Sequence, residues 1–140
     1  MSLKIPYKKY PNADGGFFYT ATLPVNIGLP EKNAPRSKRI EAIIDSGASV
    51  CQFHAAVGRS LGIEIEKGDK LEILAADGKA AIYLHEIALH IPGGPVLVKA
   101  GFSDNLPVIG LLGMSGFFEH FMVKFDCTAL RCELDRIFKS

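Results

Sequence analysis

From Phe17 to Leu29 every odd position is apolar: Phe17, Tyr19, Ala21, Leu23, Val25, Ile27 and Leu29. Even positions carry Thr20, Thr22, Pro24, Asn26 and Gly28. A period of two marks a strand, or a bent pair of strands, with one face buried. Pro24 has no N–H to give to a ladder, so the strand is expected to be an edge or to bulge there. The segment from Leu29 to Ser37, rich in Pro, Lys and Asn, reads as a loop. Arg39 to Ile44 then returns as an almost wholly apolar run, the pattern of a strand covered on both faces.

Further along, His54 to Leu61 followed by Gly62 predicts a short helix with Gly just past its end. Leu71 to Leu74 and Ala80 to Ile91 flank Ala76-Asp77-Gly78-Lys79, and Asp-Gly between apolar runs is a hairpin signal. Apolar parity changes in the second arm, from Ile82 and Leu84 to Ile87, Leu89 and Ile91, which predicts a bulge near His85-Glu86. After the turn Pro92-Gly93-Gly94-Pro95, strands are expected at Val96 to Phe102 and Pro107 to Leu112. A helical turn is expected within Met114 to Phe121, and a closing hairpin from Met122 to Asp126 and Arg131 to Leu134. Many short strands with one or two short helices define a mainly β domain, a closed barrel or sandwich-like.

Composition narrows the functions open to such a domain. The 140 residues suit a single domain, 1–140, with its core at about 17–134, and 48% hydrophobic residues supply that core. Sixteen basic and fifteen acidic residues leave a formal charge of +1, so nothing in the charge balance suits nucleic acid or an anionic membrane. No apolar stretch is long enough to span a bilayer, and Met1 to Pro6 lacks the features of a signal peptide. Three cysteines fit a reducing compartment. The expectation is a cytoplasmic protein.

Candidate chemistry centres on Asp45-Ser46-Gly47-Ala48, which follows the apolar run directly. A carboxylate placed at the end of a buried strand costs desolvation energy unless its surroundings hydrogen-bond it, so Asp45 is the lead catalytic candidate. The bland reading is an Asp that opens a turn. Cys51 and His54 raise a second possibility, a thiol nucleophile with a neighbouring base, although no third residue to orient them can be named. Cys127 and Cys132 flank a four-residue turn and could face each other across a hairpin. His85, His90 and His120 have no metal-ligand spacing with each other or with the cysteines, and no phosphate-binding loop occurs.

Asp45-Ser46-Gly47-Ala48 after a strand, a hairpin around Ala76-Asp77-Gly78, and Leu111-Leu112-Gly113 before Met114-Ser115-Gly116 occur in an order that resembles the retropepsin-like aspartic peptidases, most closely their small prokaryotic versions. The resemblance spans about Phe17 to Leu134. It implies the acid-protease fold and a homodimer in which one Asp45 from each subunit meets its mate to hydrolyse peptide bonds, with no metal or organic cofactor. It also implies that Ser46 braces the interface, that Gly47 lets the backbone approach the two carboxylates, and that Ala48 lies at the pocket floor. Leu111, Leu112 and Gly113 would support the Asp45 loop from behind, and the Ala76 to Lys79 tip would fold over a peptide substrate as a flap. The chain departs from the family in a flap tip with one Gly and a charged Asp77, and in Met114-Ser115 where retroviral enzymes carry Arg-Asn or Arg-Asp. Dimer contacts are therefore expected from Lys4 to Tyr10 and Arg131 to Phe138, pairing as edge strands. The competing class is a non-catalytic homodimeric peptide-binding module that retains the fold.

Overall fold

The computed structural model describes residues 2–75 and 78–138. Its strands are β1 (Ser2–Pro6), β2 (Lys8–Pro11), β3 (Phe17–Thr20), β4 (Thr22–Gly28), β5 (Ile40–Ile44), β6 (Gln52–His54), β7 (Asp69–Ala75), β8 (Gly78–Ile91), β9 (Gly94–Ser103), β10 (Gly110–Leu112), β11 (Phe121–Asp126) and β12 (Arg131–Arg136). One α-helix, α1 (Ala55–Ser60), follows β6, and a short 3-10 turn covers Ile65–Lys67. No helix among the described residues is long and apolar enough to cross a membrane.

Seven strands form the main sheet in the order β4-β5-β10-β6-β9-β8-β7. β4 pairs with β5 through Thr22 to Val25, then with β8 through Asn26 to Gly28, so the sheet rolls back toward its own first strand. That second seam is three residue pairs long, and β7 hangs outside it, so the domain is mainly β, as expected, with a main sheet that rolls back on itself. Pro24 lies where β4 has β5 alone as neighbour. The core fills the roll: Val25, Ile27, Phe53, Ile87, Leu89, Phe102, Leu112 and Phe117 are fully or almost fully buried. β5 lies between β4 and β10, which explains its apolar run.

The period-two run is not one strand. It breaks at Ala21, because β3 pairs with β2 in a separate two-stranded ribbon while β4 enters the main sheet. Ala21, Leu23, Val25 and Ile27 are buried, yet Phe17 and Tyr19 are exposed. The bulge at His85-Glu86 is absent too. β8 pairs with β9 in unbroken register from Tyr83↔Phe102 to Ile91↔Gly94. Parity changes there because β8 exchanges neighbours, leaving β7 at Leu84 and taking up β9 from Tyr83 onward. The strand enters the core at that exchange, and burial on its two faces changes with it.

α1 has the ends its sequence predicts. His54 Nδ1 accepts the Ala56 N–H at 3.1 Å as an N-cap, and Gly62, just past Leu61, takes φ +83. After β10 the chain makes one turn, with the Phe117 and Phe118 N–H groups both donating to Gly113 O, and does not continue as a helix. Phe117 stacks on Phe121 with centroids 4.9 Å apart and meets Phe118 edge-on.

A third sheet corrects the expectation about the terminal segments. β1 and β11 both pair with β12, in register from Ser2↔Asp135 and from Phe121↔Arg136, so β12 is a central strand within one chain. Arg131 to Arg136 therefore has no free edge to offer a second chain, and β1 and β11 are the two outer strands of this sheet.

Phe117 anchors the turn behind β10, so Phe117→Ala is expected to cost about 3–5 kcal/mol. Equilibrium denaturant unfolding measures this, and a loss below about 1 kcal/mol would mean that the aromatic stack is not part of the core.

Candidate active site

Asp45 is the first residue past β5. Its N–H donates to Leu112 O at 3.0 Å, continuing the parallel pairing in which Ile43 faces Leu111 and Ile44 faces Leu112. Side chains alternate along a strand, so Ala42 and Ile44 point into the core while Ile43 and Asp45 share the outer face. Asp45 is half-buried there. The chain then turns: Gly47 N–H donates to Asp45 Oδ1 at 2.8 Å, and Ala48 N–H to Asp45 O at 3.2 Å. One carboxylate oxygen is thereby held by the loop's own backbone. A Cβ on Gly47 would lie 3.1 Å from that same oxygen, so a side chain there would crowd the carboxylate.

Ser46 and Gly47 are exposed at the loop tip, and Ala48 is buried beneath it. From Ala48 the chain runs beside the segment that leaves β10. Met114 N–H donates to Ala48 O at 2.8 Å, Ser115 N–H donates to Ser49 O at 2.9 Å, and Val50 bridges Ser115 in parallel. Gly113 lies in the crossing. A Cβ there would come within 2.5 Å of Val50 O and 2.7 Å of Ala48 O, a clash with main-chain atoms that cannot rotate away. Leu112 is fully buried behind Asp45, and Leu111 is half-buried beside Ile43. The structure thus brings Asp45 to Ala48 and Leu111 to Gly113 together as one backbone-braced unit.

Cys51 completes the brace, a role its sequence position did not reveal. Its Sγ accepts the Gly113 N–H at 3.4 Å, and its S–H points to Ser115 O at 3.5 Å. No local pattern announces such a contact, because three chain segments must converge before the thiol has partners. Burial pushes the Cys51 thiol up to about 11, with the Gly113 N–H opposing and Glu119 reinforcing the shift. His54, the base that a thiol mechanism needs, caps α1. A neutral, fully buried thiol bonded to backbone is no nucleophile. All three cysteines are free, so Cys127 and Cys132 form no bridge. Among the described residues no cluster of His, Cys, Asp and Glu could hold a metal ion.

The β7–β8 hairpin closes with Ala75 paired to Gly78, which takes φ +130. Ala76 and Asp77, at the expected flap tip, lie outside the described residues. Of the arm beside them, Leu74 is 87% exposed and Ile73 half-buried.

Solved structures share this fold. The chain has the retropepsin-like fold, superposing on a retropepsin-like aspartic protease from Rickettsia conorii with a TM-score of 0.63 and 20% identity, over 96% of this chain and 98% of that one. The EIAV protease complexed with the inhibitor HBY-793 matches with a TM-score of 0.51 and 20% identity, over 67% of this chain and 81% of that one. No family model matches the sequence, and no curated protein matches it.

Two outcomes follow from this geometry. Gly113→Ala should lower stability by about 3 kcal/mol, at the upper end of overpacking costs, because only backbone movement can relieve the clash; an unchanged denaturation midpoint would show that the crossing is looser than described. Brief alkylation of the native protein at pH 8, read by mass spectrometry, should modify exposed Cys127 and spare Cys51, whose thiolate fraction there is on the order of one in a thousand. Rapid labelling of Cys51 would revive the thiol mechanism.

Proposed function

We propose that the protein is an aspartic endopeptidase that works as a homodimer, with one Asp45 from each subunit sharing a proton at the two-fold axis. The observation that carries this reading is the placement of Asp45: on the outer face of a central strand, with one oxygen held by Gly47 N–H and its main chain locked to Leu112. The retropepsin-like fold supports it.

Hydrolysis of a peptide bond by this route needs two carboxylates close together. Like charges at short range cannot both ionise, so the pair keeps one proton and titrates as a unit. The ionised member takes a proton from water while the protonated member donates to the scissile carbonyl. Each chain has one Asp-Ser-Gly, so the second carboxylate comes from a second chain. Exposed Ser46 and Gly47 leave the loop tip free to meet its mate. In this reading Ser46 braces the joined loops, Gly47 admits the partner carboxylate, and Ala48 with Leu111 to Gly113 fixes the loop from below. The β7–β8 hairpin serves as the flap over an extended peptide, which pairs with it by main-chain hydrogen bonds. The reaction requires no cofactor beyond these two carboxylates and water.

Cleavage of an unstructured protein by the wild type, across acidic to neutral pH, should fall about 10²–10⁴-fold in Asp45→Asn. It should also fall faster than linearly on dilution, as dimers separate. Stable dimers of both proteins with no cleavage at any pH would instead establish a peptide-binding module.

A further inference from the structure

At the other end of β4 from the Asp45 loop, a cavity of about 230 Å³ lies between the loop that leaves β4 and strands β8 and β9. β4 runs seven residues from Thr22, which pairs with Ile43, to Gly28, so the cavity is about 20 Å along the strand from the Asp45 loop. Hydrogen bonds fix the loop at its return. Ser37 N–H donates to Ile27 O at 2.7 Å, Ser37 Oγ accepts the Ile27 N–H at 3.0 Å, and Asn26 Nδ2 donates to Ser37 O at 3.0 Å. Arg36 bridges Gly28 in antiparallel sense. Farther out, Ala34 N–H donates to Glu31 O at 3.1 Å across a turn in which Asn33 takes φ +63.

Under the loop, Gly28, Ala88 and Leu97 are neighbours across β4, β8 and β9, and Asn26, His90 and Pro95 form the next row on the same face. A Cβ on Gly28 would lie 3.1 Å from His90 Nε2 and 3.5 Å from Arg36 Cγ. The missing side chain lets the imidazole and the Arg36 stem close over the strand. The lining has two halves. Pro30, Ala88 and Leu97 make an apolar half, with Leu97 exposed. Lys32, Arg36 and His90 line the remainder together with Glu31. Among the described residues neither Lys32 nor Arg36 forms an ion pair, with Glu31 or with another carboxylate. Burial, and after it the Arg36 charge, hold the half-buried His90 imidazole below its usual range.

We infer that this cavity binds a small organic carboxylate on a branched apolar body, with the carboxylate between Arg36 and His90 and the body against Ala88 and Leu97. Lys32 and Arg36 against Glu31 leave one positive charge, which a single carboxylate neutralises. A guanidinium offers that group a fork of N–H donors. The imidazole takes up a proton as the carboxylate arrives, because an adjacent opposite charge favours its charged form. At about 230 Å³ the space falls below the roughly 300–1,000 Å³ of sites for larger ligands, which limits the body to about one amino-acid side chain. A free acid and the last residue of a peptide both carry this chemistry. Asp45 takes no part, so the site stands whether or not the protein cleaves peptides.

NMR titration of the full chain, following the His90 imidazole and Leu97 methyl signals, tests this with 4-methylpentanoate, N-acetyl-leucine, N-acetyl-leucinamide and inorganic phosphate. At least one of the two carboxylates should shift both signals saturably and raise the pH at which His90 titrates by about one unit. The tighter of the two identifies the source, free acid or peptide terminus. The uncharged amide should move neither signal. Arg36→Gln should weaken carboxylate binding about tenfold and, without ligand, raise the His90 titration by removing a repelling charge. Leu97→Ser should weaken it about threefold through lost apolar contact. Arg36 and Leu97 are both exposed, so the variants should keep the wild-type denaturation midpoint. No saturable shift with either carboxylate, or an equal shift with the amide, overturns the inference. Phosphate binding as tightly as the carboxylates, with no effect of Leu97→Ser, overturns it as well.

Discussion

Backbone pressed against backbone at Gly113 is the constraint from which the site follows. With the Ala48 and Val50 carbonyls so close, only a residue without a side chain fits where the segment leaving β10 crosses the segment leaving the Asp45 loop. Once it is in place, Leu112 O meets Asp45 N–H, Ala48 O meets Met114 N–H, and Ser49 O meets Ser115 N–H. Main-chain groups dominate this bracing, and the Cys51 thiol joins it.

Periodicity made legible those parts of the chain whose burial is local. β5 showed itself by losing alternation, since β4 and β10 flank it, and the stop of α1 showed itself in Gly62. Asp45 was legible for the same reason, as a carboxylate at the end of a buried strand. Partner exchange was not. Alternation from Phe17 to Leu29 is indifferent to which sheet a strand joins, so the break at Ala21 left no trace in it. In β8 the parity change was real, but a change of neighbour produces the same signal as a bulge. Contacts that join distant segments, such as Cys51 with Gly113 and Ser115 or Arg36 with His90 over Gly28, have no signature in any one stretch of sequence.

The molecule divides into parts held with different firmness. Phe53, Phe102, Phe117 and Leu112 lock the rolled sheet around the base of the Asp45 loop. Among the described residues the β2–β3 ribbon pairs with no other strand; it leaves Phe17 and Tyr19 exposed and is joined to β5 by a Lys8–Glu41 ion pair with both partners partly in water. Such a pair contributes little to stability. Among the described residues β7 likewise pairs with β8 alone. Rigid sheet beneath and lightly attached arms beside it suit the proposed site, which has to hold a carboxylate still while admitting a chain.

Pairing of Ser2–Pro6 with Arg131–Arg136 has a kinetic meaning. Ser2 meets Asp135, so this seam joins segments far apart in sequence, and the parallel pairs β5 with β10 and β6 with β9 are also remote in sequence. Loop entropy is lost before such contacts repay it, which places the domain among slow, high-contact-order folders. β1 stays without its neighbour until β12 has been synthesised and docked. A nascent chain therefore carries an unpaired strand while the residues between β1 and β12 are made, and an unpaired edge of this kind is a template for aggregation.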